Sequence, residues 1–155
     1  MKKTSVLLCG LLGLGIFLTG CGTSSLDSVV KNAANDAVGV TDNTSSGDAL
    51  LGYSDTNGDV VVKLALPSNF TAESAMVATS QFMGDVFKDS RVQQAEIVWE
   101  IPMTDAYGNI TDKVVGKIQF TRQTAEKVHW DTVPPSGIPK IADSFSMSPD
   151  VLARN

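Results

Sequence analysis

His129 is the only histidine of the chain, and it stands beside Trp130 and Asp131. Imidazole changes charge near neutral pH, so this is the first place to look for general acid–base catalysis. A lone imidazole needs company, however. No cysteine, and no serine in a nucleophile-elbow setting, accompanies it. It cannot build a zinc site alone, because such sites draw on several His or Cys ligands. A histidine at a helix end, near the C-terminal dipole, is the simpler account. Asp112 and Asp131 are the carboxylates that a hydrolase or a carbohydrate-modifying enzyme would enlist beside it.

Glu96 and Glu100 are the best-placed carboxylate pair. On a strand, four residues span roughly 13 Å, beyond the roughly 5–9.5 Å that glycosidase pairs use. The segment Asp55-Thr56-Asn57-Gly58-Asp59 has oxygen ligands at alternate positions, as a calcium loop does. An EF-hand loop wants Gly where Val60 stands and an acid where Leu66 stands, so a hairpin turn is expected instead. No phosphate loop, dinucleotide fingerprint or basic patch is present. The residues therefore predict no catalytic set, no metal site and no cofactor.

The bulk properties narrow the classes further. The chain has 155 residues, enough for one domain and hardly two, and 43% are hydrophobic, enough to support a core. Twelve Lys and Arg face 17 Asp and Glu, a net charge of -5, which argues against nucleic acid as a partner. Two cysteines cannot make a four-Cys zinc site or a multi-bridge disulfide scaffold.

The clearest motif is at the start. Lys2 and Lys3 precede an uncharged, largely apolar run from Val6 to Leu18. As a helix it would rise roughly 20 Å, short of a ~30 Å hydrocarbon core but right for the apolar part of an export signal. The run ends Leu18-Thr19-Gly20-Cys21. This resembles the lipobox of bacterial lipoproteins, with Leu, two small or neutral residues and Cys in that order. The resemblance covers residues 1–22 and implies a signal peptide over 1–20, cleavage between Gly20 and Cys21, and a diacylglyceryl group on the Cys21 thiol. It implies an extracytoplasmic domain whose membrane partner is reached through that lipid. Two acyl chains anchor stably where one is marginal. Loss of residues 1–20 takes two basic residues and no acidic one, leaving -7, so the anchor receives no help from basic side chains. Cys9 would leave with the signal, so no free thiol would remain in the mature chain.

Residues 21–48 are rich in Ser, Thr, Asn, Asp, Gly and Ala and lack aromatics, which predicts a disordered tether averaging roughly 30 Å across. Leu26, Val30, Ala33 and Ala37 recur at helical spacing, enough for a transient helix but not for firm docking. Residues 49–155 form the expected domain. Val60 to Leu66 alternates as a strand. Thr71 caps a helix to about Lys88, with Ala75, Met76, Phe82, Met83 and Val86 on one stripe. Val92 to Met103 and Ile110 to Thr121 alternate as a hairpin. Pairing Thr104 with Asn109 sets Trp99 opposite Val114, Glu100 opposite Lys113 and Glu96 opposite Lys117. Thr121 starts a short helix, and a Pro-rich tail lies on the body through Ile138, Ile141, Phe145 and Leu152.

The fold class expected is α+β: a small antiparallel sheet with one main helix across one face. The expected function is a lipid-anchored, non-enzymatic domain that contacts a protein or an envelope component. A cell-envelope hydrolase and a ligand-binding lipoprotein of a transporter are the alternatives.

Overall fold

The computed structural model describes residues 25–39, 50–66, 70–104 and 106–153. The elements in order are α1 (Leu26–Val38), β1 (Leu50–Thr56), β2 (Asp59–Ala65), α2 (Ala72–Val86), β3 (Gln94–Thr104), β4 (Ile110–Thr121) and α3 (Arg122–Ala125). A 3₁₀ turn (Pro135–Gly137), α4 (Ile138–Ile141), β5 (Ser144–Met147) and α5 (Pro149–Leu152) follow. The fold is α+β, with five strands among the described residues in the order β1-β2-β3-β4-β5.

The sheet is mixed and not wholly antiparallel. β1 and β2 form one hairpin and β3 and β4 another, but β2 pairs with β3 in parallel, Val60 beside Ala95 and Leu64 beside Trp99. A parallel pair needs a crossover, and α2 supplies it. Thr71 caps α2 by accepting the Ser74 N–H at 3.1 Å. The stripe Ala75, Met76, Phe82, Met83 and Val86 is buried against Val62, Leu64, Ile97, Trp99, Ile118 and Phe120 of the sheet.

The β3–β4 register differs from the expected one. Thr104 pairs with Ile110, and a bulge between Trp99 and Glu100 shifts the pairing again, so that Trp99 faces Gly116 and Ile97 faces Ile118. The extra residue is Val115 of β4, and it shifts that strand's alternation by one, so Val114 does not share the face of Ile118 and Phe120 as regular spacing would have it. The expected Glu–Lys cross-strand pairs are therefore not made. Glu100 faces Val114 and Glu96 faces Gln119. Glu100 is instead 6% exposed and bonds Lys63 of β2 at 3.2 Å.

Two further differences concern the ends of the chain. Within the stretch whose composition predicts a tether, residues 26–38 form a helix docked on the body. Ser25 caps it, and Val30, Ala33, Ala34 and Val38 are buried with Ala75 and Ala78 of α2 in one cluster. Small side chains on both helices allow close approach, so alanines contribute burial that their size alone does not suggest. Residues 22–24 and 40–49 lie outside the described residues. In the Pro-rich tail, Ser144–Met147 adds a fifth strand along Gly116 to Gln119. There Val151 and not Leu152 is the buried residue, while Ile138 fills the core as expected.

Arg122 and Asp143 close the end of the sheet where α2 stops. The Arg122 guanidinium donates to the carbonyls of Val92 (2.6 Å), Asp89 (2.6 Å) and Phe87, and lies 5.5 Å from the Phe87 ring centroid. These carbonyls follow α2 and have no helix partner. Arg122→Ala strands the Phe87 and Val92 carbonyls, while that of Asp89 keeps the Val92 N–H at 3.2 Å, and the expected loss is about 2 kcal/mol in chemical denaturation. A loss under about 0.5 kcal/mol would show that water replaces the guanidinium freely.

Asp143 accepts from the Thr121 N–H (2.6 Å) and from the hydroxyls of Thr121 (3.0 Å) and Thr124 (2.7 Å). Burial alone would raise its pKa, but the N–H and the two hydroxyls together hold it below the usual carboxylate value. Asp89 is held at about 2, chiefly by the Arg91 guanidinium. Both folded pKa values lie below that of the unfolded chain, so the unfolded state binds more protons as pH falls. Their stabilisation is complete above about pH 4 and is lost between about pH 4 and pH 2. The melting temperature should fall across that window, and the fall should be shallower in Asp143→Asn.

Candidate functional site

Gly20 and Cys21, the cleavage and acylation positions of the lipobox, lie outside the described residues. Among those described, no helix is long and apolar enough to cross a membrane.

His129 lines a concavity of about 320 Å³ between the second half of α2 and the loop after α3. The walls include Ser80, Asp85, Lys88, Trp130 and Asp131. Trp130 anchors the loop by meeting Phe120 edge-on at 5.1 Å, and its carbonyl accepts the Ser80 hydroxyl at 3.0 Å. The loop approaches α2 closely because position 84 is Gly; a Cβ there would stand 2.9 Å from the Trp130 Cβ.

The concavity brings an imidazole, a hydroxyl and two carboxylates together, but it does not connect them. His129 and Asp131 are exposed, and the imidazole makes no hydrogen bond or ion pair with a described residue. The Ser80 hydroxyl is turned to a backbone carbonyl, and Asp85 is bonded to Lys88 at 2.6 Å. A nucleophile–base–acid relay needs these groups hydrogen-bonded in series. Asp112 is far from them in the fold, on the β3–β4 hairpin opposite Pro102. Glu96 and Glu100 sit along one strand, with Glu100 committed to Lys63. No group of three or more His, Cys, Asp or Glu side chains among the described residues is placed to share a metal ion.

The segment Asp55 to Asp59 is a hairpin turn. Asn57 and Gly58 both have positive φ (57° and 90°), and the Asp55 carboxylate accepts the Gly58 N–H at 2.9 Å. Two central residues of that kind make the turn type that matches the twist of paired strands.

The unusual surface is the hairpin itself. β2 stops pairing with β3 at Glu100, and β5 stops pairing with β4 at Gly116. Among the described strands, residues 101–104 therefore pair with β4 alone and run roughly 13 Å past the last β2 and β5 pairings. Four of its apolar side chains face solvent: Met103 (44% exposed), Tyr107 (91%), Ile110 (72%) and Val114 (46%). Ile110 and Val114 lie on the face of the sheet opposite Trp99, because they pair with Thr104 and Glu100. Scattered apolar residues are ordinary on a surface; here four of them are gathered on one projecting ribbon. The alternation of β4 sets Val114 on the face of Ile118 and Phe120; the structure turns it to the other face, because the extra residue at Val115 shifts the phase of the strand, and its exposure depends on where the flanking strands end.

No protein-family model, curated protein or solved structure matches this chain.

Proposed function

We propose that the chain is a bacterial lipoprotein, cleaved before Cys21 and held by a diacylglyceryl thioether outside the cytoplasm. Its α+β domain is a non-enzymatic binding module that contacts a partner protein through the β3–β4 hairpin. The observation that carries this proposal is Leu18-Thr19-Gly20-Cys21 behind a positive start and an uncharged apolar run. The exposed Met103, Tyr107 and Ile110 supply a contact surface, and the unlinked groups around His129 lack a relay.

Intact mass of the protein from native membranes tests the anchor, which requires Cys21 as the first residue with acyl mass attached. An unacylated first residue would overturn it. The contact surface is tested with a photo-crosslinking residue in place of Ile110, compared with one in place of Ser54. Adducts with one defined protein should form from position 110 and vanish in Tyr107→Ser. Equal labelling from both positions would remove the hairpin from the proposal.

A hydrolase role is favoured by one observation, the concavity that gathers His129, Asp131 and Ser80. Turnover of a cell-envelope substrate that disappears in His129→Ala, with melting unchanged, would establish it in place of the binding role.

A further inference from the structure

We infer, resting on the lipoprotein proposal, that the domain sits directly against the bilayer by its α1 end, with the β3–β4 hairpin pointing away from the membrane. The strands define two ends. β2 and β3 run in parallel from Asp59 and Gln94 at one end to Ala65 and Glu100 at the other, and the hairpin continues past the second. α2 must return from the second end to the first in order to join two parallel strands. α1 lies antiparallel to α2, since Ala37 near its C-terminus shares a concavity with Phe70, Thr71 and Ser74 at the start of α2. The first turn of α1 therefore lies at the end that holds the Asn57-Gly58 turn. Tyr53 reports the same placement: burial first, then the charges of Asp55 and Asp27, raise its phenol pKa.

Covalent reach does the rest. Residues 22–24 alone separate Cys21 from the cap residue Ser25. Four steps of chain extend at most roughly 14 Å, whatever course they take. Because Val30 and Ala34 are buried in the body, that limit applies to the whole domain. The hairpin tip lies ten residues beyond Gln94 along β3, roughly 33 Å farther out. With the α1 end on the bilayer, its apolar side chains stand clear of lipid, which makes them a surface for a partner protein and not a membrane-dipping tip.

Position-specific labelling tests this. With Cys9 removed and Cys21 consumed as a thioether, Thr56→Cys and Ala106→Cys each offer one thiol to a fluorescent dye. In the mature, acylated protein in vesicles, energy transfer to an acceptor lipid should be roughly threefold greater from position 56 than from 106. A flexible Gly/Ser linker of about 20 residues inserted after Thr23 should narrow the difference. Equal transfer from both positions in protein whose Cys21 is acylated by mass spectrometry would overturn the orientation and leave the anchor standing. Greater transfer from position 106 would overturn it and identify the hairpin as lipid-facing. An unacylated Cys21 would overturn both proposals.

Discussion

Cys21→Ser is expected to yield a chain that keeps residues 1–20 and carries no acyl mass. The thiol is the only group in the lipobox that can form the thioether, and a serine hydroxyl is a far weaker nucleophile at neutral pH. Each buried CH₂ stabilises membrane association by about 0.8 kcal/mol, so the loss of two acyl chains removes nearly all of the anchor. The remaining apolar run rises only roughly 20 Å as a helix and cannot replace a spanning segment. Mass spectrometry and extraction of membranes at alkaline pH read the two effects separately. A variant that is still cleaved before position 21, or still acylated, would refute the lipobox assignment.

The largest effect on folding is expected from Gly58→Ala, and Gly108→Ala is its control. Both glycines have positive φ, 90° and 85°. A Cβ at Gly108 meets nothing within 4 Å, whereas one at Gly58 would stand 2.3 Å from the Arg91 carbonyl oxygen. Gly58 also accepts the N–H groups of Gln93 and Gln94, which ties the β1–β2 turn to the start of β3. Left-handed strain alone costs about 1 kcal/mol, and this is the expected loss for Gly108→Ala. At position 58 the turn must also separate from β3. The expected loss is about 3 kcal/mol, or roughly 10 °C in melting temperature for a domain of this size. Equal losses at the two positions would mean that backbone conformation, and not the close approach, governs both.

Elements with a long period were legible in the chain. The α2 stripe runs for four turns, and the β3 and β4 alternations for about eleven residues each, so pattern decides them before packing does. What escaped was set by partners distant in sequence. The bulge at Trp99 changed the register. The buried partner of Glu100 is Lys63, a residue of another strand. Ser144–Met147 is too short for periodicity to separate it from the prolines around it. α1 was visible as spacing, but its docking rests on the alanines of α2. The His129 concavity follows the same rule: the histidine is conspicuous in the sequence, while the hydrogen bonds that would activate it are a matter of where Ser80 and Asp85 point.

The single parallel pairing in the sheet has a kinetic consequence. β1–β2 and β3–β4 are each closed by a short turn and can form within microseconds, since their loop entropies are small. Aligning β2 with β3 must wait for a crossover of 28 residues to be ordered around α2. Two quickly made ribbons are thus joined by one slow docking event. Truncations at that seam, at Val62 or Ile97, should lower the folding rate, whereas truncations at the rim of β5 should mainly raise the rate of unfolding.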